Sequence, residues 1–413
     1  MVIFINMTNS LVVQKYGGSS VANTDRIKNV ASRIARYKKQ GHKVVVVVSA
    51  LGDTTEELLE LAGRITDKPS DRELDMLIST GEQVSVALLA MAIHKLGIDA
   101  ISFTGSQVGI ITDCSHTKAK ILKISADRIR EQLKKGKVVI VAGFQGMNSD
   151  QEITTLGRGG SDLTAVAIAK TLNADMCEIY TDVEGVYTAD PKVVKDAKKL
   201  SVISYEEMLE LASLGAQVMQ ARSMEVAKKY SVPLHIRSSF TDKEGTIISK
   251  EVKAMEEFLV SGVAANKGEA KVTICDVPDK PGIAAKIFTD IAKHDINVDM
   301  IIQNISRKGH TDLSFTVPVA ELNKTKDVMV KIVNAVKAKG VIYNSEIAKV
   351  SIVGVGMKTH SGVAADMFGA LASKKINIDM ISTSEIKISC VINKKYADEA
   401  VRVLHKAFGL NKR

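Results

Sequence analysis

Tryptophan is absent from this chain, and aromatic residues of all kinds make up only 4% of its 413 positions. Proteins that track single-stranded nucleic acid stack bases on aromatic platforms. The shortage therefore speaks against such a partner, despite a formal net charge of +9. A solvated basic surface, with some charge serving anionic substrates, is the expected account. Cysteine is scarce too. Cys114, Cys177, Cys275 and Cys390 lie far apart, without the spacing of a zinc or redox motif, and they suit a reducing, cytoplasmic compartment. The eight histidines are dispersed, with no Ser-His-Asp arrangement. No apolar run approaches the roughly 20 residues that cross a bilayer. Met1 to Asn6 lacks the basic stretch of a secretory leader. No membrane and no nucleic acid partner are expected.

What is present points to layered α/β structure. Leu11 to Lys15 reads as a strand, and Tyr16-Gly17-Gly18-Ser19-Ser20 as a tight loop. Ile27, Val30, Ala31, Ile34 and Tyr37 then recur near a 3.6-residue period, predicting a helix from about Thr24 to Gln40. Lys43 to Val48 is a continuous β-branched strand, the pattern of one covered on both faces. Val138 to Ala142 and Met176 to Tyr180 repeat that texture, with helices predicted over Glu73 to His94 and Leu163 to Lys170. Residues 1–253 therefore read as one domain, an α/β/α sandwich with a mostly parallel sheet.

Beyond about Lys253 an internal repeat appears. Gly282-Ile283-Ala284-Ala285 matches Gly362-Val363-Ala364-Ala365, and Ile296-Asn297-Val298-Asp299-Met300-Ile301 matches Ile376-Asn377-Ile378-Asp379-Met380-Ile381. Both matches fall at one offset, since 362 − 282 = 80 and 379 − 299 = 80. A tandem duplication of a ferredoxin-like α+β module explains this. The modules are expected near 265–340 and 345–413, with terminal strands open to exchange.

Ligands of open parallel sheets bind at the carboxyl ends of the strands. The segments placed there are Lys15 with Gly17-Gly18, the loop Ser49 to Thr55, Ala142-Gly143-Phe144, and Thr181 to Lys192. Thr155-Leu156-Gly157-Arg158-Gly159-Gly160-Ser161-Asp162 adds a fixed cation among three glycines, just before an apolar helix. Helix N-termini favour anions, and a guanidinium matches a carboxylate or phosphate. The plainer alternative is a glycine-rich turn with Ser161 or Asp162 as helix cap. Two cations, glycines and hydroxyls suit a polyphosphate, whereas thiol and imidazole nucleophiles are missing. No Walker A or protein-kinase motif is present.

Taken in order, Lys15 to Ser20, the Ser49 loop, Gly81-Glu82, Gly157 to Asp162 and Thr181 to Lys192 resemble the amino acid kinase family, and within it the aspartate kinases. The paired modules resemble the ACT domains of such kinases. That resemblance implies ATP and Mg²⁺ as cofactors, L-aspartate as substrate and 4-phospho-L-aspartate as product. Lys15 would offset phosphoryl charge, with Gly17, Gly18 and Ser49 along the phosphate path. Tyr16, Thr181, Asp182, Tyr187, Thr188, Ala189, Asp190, Pro191 and Lys192 would hold the nucleotide. Arg158 and Glu82 would grip the α-carboxylate and α-ammonium of aspartate. Gly159 and Gly160 would line the substrate, and Thr54, Ser161 and Asp162 would orient the reacting groups. No metal-ligating residue is assigned.

Read from chemistry alone, Glu82 could be a surface acid, and Asp182 and Asp190 could be turn formers. Gln217 departs from the family, where a lysine is common. The resemblance further implies amino-acid effectors, lysine or threonine or both, at Asp279, Gly282, Ala284, Asn297, Asp299 and Gln303. Val363, Ala364, Asn377, Ile378 and Ser384 would contribute from the second module, and subunits would pair through these modules into a homo-oligomer. Other amino acid kinases, or a catalytically silent sensing subunit, are the alternatives.

Overall fold

The computed structural model describes residues 9–214, 219–250, 259–304 and 309–412; Gln217 lies outside them. The chain divides into two compact units. One comprises residues up to Val186 with Lys199–Ser213 and Gln217–Lys253, and the other joins Tyr187–Lys198 to the C-terminal half. The boundary expected at residue 253 is therefore crossed by two segments, Tyr187–Lys198 and the short Leu214–Ala216.

The first unit is built on an eight-stranded sheet. Its spatial order is Val202–Ser204, Thr246–Ser249, Leu234–Ser238, Met176–Thr181, Leu11–Tyr16, Lys43–Val48, Val138–Ala142 and Ala100–Phe103. The six strands from Leu234–Ser238 to Ala100–Phe103 are parallel; Thr246–Ser249 runs antiparallel to its neighbour Leu234–Ser238. The central strands are apolar and buried because helices cover both faces. Ile27, Val30, Ala31 and Ile34 of the helix Thr24–Lys39 pack with Val86, Leu89 and Ile93 on one face. The helix Gly160–Leu172 packs against Leu11–Tyr16, Lys43–Val48 and Met176–Thr181. A small second sheet pairs Ile121–Ile124, Ile110–Thr112, Gln145–Met147 and Ile153–Thr155.

The helix predicted from Glu73 to His94 is two, Asp71–Ile78 and Thr80–His94, meeting at Ser79. By length and composition the stretch could cross a bilayer, but half of its apolar window is buried inside the protein. Asp75 and Glu82 within it are buried as well.

The second unit contains two four-stranded sheets. The first module orders Ile301–Gln303, His310–Pro318, Glu269–Pro278 and Gly340–Asn344. The second orders Met380–Thr383, Lys387–Asn393, Ile347–Val353 and Gly262–Asn266. Gly262–Asn266 occupies, beside Ile347–Val353, the place that Gly340–Asn344 takes beside Glu269–Pro278. The first module is thus inserted between two neighbouring strands of the second.

Candidate active site

Strand alternation decides which side chains of the central strands reach the site. Successive residues face opposite sides of a sheet, and Lys15 and Tyr16 divide accordingly. Lys15 Nζ lies 2.6 Å from Asp162 Oδ1, with the two side chains 12% and 10% exposed. Tyr16, expected at the nucleotide, is instead buried on the other face, stacked on Tyr180 with ring centroids 4.7 Å apart. Its hydroxyl donates to Gln14 Oε1 at 3.2 Å. The strand continues through Tyr16, so its side chain follows Gln14 rather than the loop.

The loops at the strand ends support one another. Gly52 N donates to Gly18 O at 3.1 Å. A Cβ at Gly18 would lie 2.8 Å from Gly52 O, so only glycine permits this approach. Ala50 N, in the same loop, donates to Glu82 Oε1 at 3.1 Å. Glu82 is 2% exposed, and its Oε2 is buried without a hydrogen-bond partner. Burial pushes this carboxyl up to about 8. Ser49 and Thr54 are half-buried in the same loop region.

Asp162, in the first turn of Gly160–Leu172, ties the Arg158 loop to Lys15. Gly157 and Gly159 both have φ near +70°, at 76° and 70°, which a β-carbon would strain. Arg158 between them is exposed, with no hydrogen bond or ion pair to any described residue. Ser161 is buried. Thr181, at the end of its strand, donates through Oγ1 to Asp182 Oδ1 at 3.0 Å. Lys15, Gly17, Gly18, Ser49, Thr54, Glu82 and the Arg158 loop are thus linked through contacts within one unit.

The segment Tyr187 to Lys192 stands apart. It belongs to the second unit, where the Thr188 hydroxyl accepts from Lys198 N and shares a hydrogen bond with His405 Nε2, both at 2.9 Å. Burial holds His405 below its ordinary range. Ala189 joins the core of the second ACT-like module. The side chains of Thr188 and Ala189 are thus spent on packing rather than turned to a nucleotide. Asp190 Oδ1 accepts from Lys192 N at 2.8 Å, the turn-forming role left open above. Tyr187 is half-buried, and Pro191 and Lys192 are exposed.

In the first module, Asp279, Gly282, Ala284 and Gln303 line one cavity of about 340 Å³ together with Val277, Lys280, Pro281, Ile283 and Leu313. Asn297 and Asp299 are not among its lining. Asn297 N donates to Glu321 Oε2 at 2.9 Å. Asp299 is paired with the ammonium of Lys349, a 5%-exposed residue of the second module. In that module Val363 is a core residue and Ile378 packs against the same cluster; neither side chain is presented to a ligand. Ala364 is half-buried beside them. Asn377 Nδ2 donates to Asp379 Oδ1 at 3.3 Å, and Ser384 N closes a turn onto Lys387 O.

Among the residues that sequence reasoning missed, Glu178 and Lys349 share one signal, a lone charge inside an apolar strand. Glu178 in Met176–Thr181 accepts from Gln14, Tyr37, Tyr180 and Arg237. Lys349 in Ile347–Val353 and Asp75 in Asp71–Ile78 are likewise buried and paired.

Comparison with known proteins agrees with this architecture. Residues 10–238 match the model of the amino acid kinase family, and residues 271–332 and 350–408 each match an ACT domain. The chain is 53% identical over 403 residues to an aspartate kinase of Pseudomonas putida, covering 97% of this chain and 98% of the relative. It is 51% identical over 406 residues to an aspartokinase of Corynebacterium glutamicum, covering 97% and 96%. Among solved structures, E. coli aspartokinase III in complex with aspartate and ADP superposes with a TM-score of 0.83 at 25% identity, over 96% of this chain and 99% of that one.

Proposed function

The chain belongs to the amino acid kinase family and, within it, to the aspartate kinases, and from that premise we propose how its residues divide the work. The enzyme transfers a phosphoryl group from ATP to the side-chain carboxylate of L-aspartate, giving 4-phospho-L-aspartate and ADP. The observation that supports this assignment of the site most directly is a pair of unmatched polar groups. Arg158 is an exposed guanidinium with no partner among the described residues. Glu82 keeps one buried oxygen unsatisfied. An α-amino acid offers one carboxylate and one ammonium, the complements of these two groups.

The acceptor carboxylate has an ordinary pKa near 4, so it is ionised at neutral pH and needs no general base. Its oxygen attacks the γ-phosphorus as the bond to the β-phosphate oxygen breaks, and the electron pair leaves on ADP. Catalysis is then alignment and charge neutralisation. Lys15 supplies the cation on the phosphoryl path, and Asp162 holds its ammonium in place. Gly17 and Gly18 bring backbone close to the phosphates, and Ser49, Thr54 and Ser161 orient the reactants. Thr181 and Asp182 hold the nucleotide from the neighbouring strand end. Among the described residues no three His, Cys, Asp or Glu side chains converge as a metal cage. Mg²⁺ would be held mainly by phosphate oxygens and water, where it supplies neutralisation of phosphate charge.

A free amino acid, lysine or threonine or both, occupies the first module's cavity in this reading. The helix Ile283–Ala292 begins at its rim, where N–H groups suit a carboxylate. Pairing of subunits through the modules is supported by their short edge strands, on which Ile301 and Ile381 are exposed. Four free cysteines suit a reducing, cytoplasmic compartment. Incubation with ATP, Mg²⁺ and aspartate, with hydroxylamine as trap, tests the catalytic assignment. Aspartyl hydroxamate should accumulate together with ADP; ADP release without it would overturn the acceptor. A thermal-shift screen of free amino acids tests the effector.

A further inference from the structure

We propose that Asp75 is a positioning residue that sets the spacing between the two groups gripping aspartate, Arg158 and Glu82. The inference rests on that assignment of the two grips. Asp75 is fully buried and lies outside the reacting groups. Its Oδ1 accepts from Thr155 Oγ1 at 2.5 Å, and both its oxygens accept from Thr117 N, at 3.1 and 3.0 Å. Its Oδ2 lies 2.8 Å from His116 Nδ1. The far nitrogen of that imidazole lies 3.4 Å from Glu152, which in turn meets Arg72 at 3.5 Å.

Two of these neighbours, Thr155 and Thr117, lead to the Arg158 grip, and the backbone of Asp75 itself leads to the Glu82 grip. Thr155 ends the strand Ile153–Thr155, and Arg158 follows three residues later. Ala119 N donates to Thr155 O at 2.9 Å. Arg222 donates to Leu156 O at 2.9 Å and to Ala119 O at 2.7 Å. A Cβ at Gly157 would lie 3.1 Å from Thr117 O. The Arg158 loop therefore rests on the segment that Asp75 holds. On the other side, Ser79 N donates to Asp75 O at 3.1 Å, and Thr80–His94 begins at once with Gly81-Glu82. Gln145 Nε2 braces the same junction through Ser79 O at 2.7 Å. One buried carboxyl residue thus joins the start of the Glu82 helix to the strand that delivers Arg158. Misplacing a binding group by about 1 Å can cost on the order of a hundredfold, so a spacer of this kind affects recognition without touching substrate.

The test compares Asp75→Asn, Thr155→Val and Thr155→Ser in the full-length enzyme, with aspartate and ATP varied separately. Asp75→Asn and Thr155→Val should each raise the KM for aspartate about tenfold. The KM for ATP and kcat should stay within about threefold, and Thr155→Ser should restore the parent value. The double variant Asp75→Asn/Thr155→Val should be less than additive, because both changes break one contact. A KM for aspartate unmoved in Asp75→Asn, in protein that retains its turnover, would overturn the proposal. So would a fall in active fraction and melting temperature with no selective change in KM. Should Asp75→Asn fail to fold, Thr155→Val decides by the same criteria. Arg158→Ala and Glu82→Gln run alongside: if these leave aspartate saturation unchanged, the grips themselves are misassigned, a failure distinct from that of Asp75.

Discussion

The two faces of the central sheet use the same strands for opposite ends. On the face toward Gly160–Leu172, Lys15 meets Asp162 near the solvent edge, about a tenth exposed. On the face toward Thr24–Lys39, one residue away along each strand, lies a closed polar network. Glu178, 3% exposed, accepts from Gln14 Nε2 at 2.9 Å, Tyr37 Oη at 2.8 Å, Tyr180 Oη at 3.1 Å and Arg237 at 3.2 Å. Burial pushes Tyr37 up to about 12 and His235 down to about 4, so both stay neutral. His235, 3.8 Å from Glu178, is therefore a neutral neighbour and no ion pair. The difference teaches that buried polarity alone does not mark a site. Glu178 is satisfied from within, with Arg237 Nε left unpaired, whereas at the carboxyl ends of the strands Glu82 Oε2 and Arg158 stay unmatched.

Substitutions on the two faces should separate stability from kinetics. The largest effect is expected for Glu178→Ala, which strands several buried donors and should cost about 3–5 kcal/mol. Chemical denaturation should show it, with the KM for aspartate of the folded fraction unchanged. A selective kinetic loss at full stability would erase the distinction between the faces. Lys15→Ala should lower turnover by about 10²–10³ while sparing aspartate saturation, as read in the hydroxamate assay.

The third contrast is in pH. Glu82 is raised to about 8 by burial, so below that pH the empty site holds it mostly protonated. A substrate ammonium favours the carboxylate, and binding then releases a proton. The KM for aspartate should therefore fall as pH rises from 6 towards 8, and Glu82→Gln should flatten that dependence. The opposite sign applies to folding without substrate. This carboxyl's folded value is raised, so its contribution is full below the ordinary carboxylate range and is lost as pH rises through about 8. The smallest effect is expected for Tyr37→Phe, which removes a hydroxyl that donates to Glu178 and accepts from Arg237 and should cost about 1–2 kcal/mol with no kinetic change.

Much of this was legible in the residues. The β-branched runs announced buried parallel strands, and the 80-residue offset announced the two modules. The strand pattern placed Lys15 at the carboxyl edge of the sheet with the Arg158 loop nearby, and the resemblance alone assigned Glu82, read as helical, to the same substrate. Other features were hidden for physical reasons. A motif read as a string does not say where a strand stops alternating, so Tyr16 was assigned to the ligand while its side chain turns to the core. Which module a strand joins depends on long-range pairing. Gly262–Asn266 completes the sheet of Ile347–Val353 across an intervening module, and local pattern has no information on that. Likewise, Thr188 and Ala189 look like a ligand loop until the partners His405 and Val263 come from far along the chain. Asp299 matched an effector acid by position. Its counter-charge proved to be Lys349, at the position equivalent to Glu269 in the repeat.

Arg158 offers the cleanest single measurement. It is exposed and makes no hydrogen bond or ion pair with any described residue, so its removal should leave the melting temperature of the free enzyme unchanged. Steady-state kinetics of Arg158→Ala, with aspartate varied at saturating ATP, should show the KM for aspartate raised by roughly tenfold to a hundredfold, as befits a lost charge-assisted contact of about 1.5–3 kcal/mol. An unchanged KM for aspartate would contradict the account of how this edge of the sheet recognises its substrate.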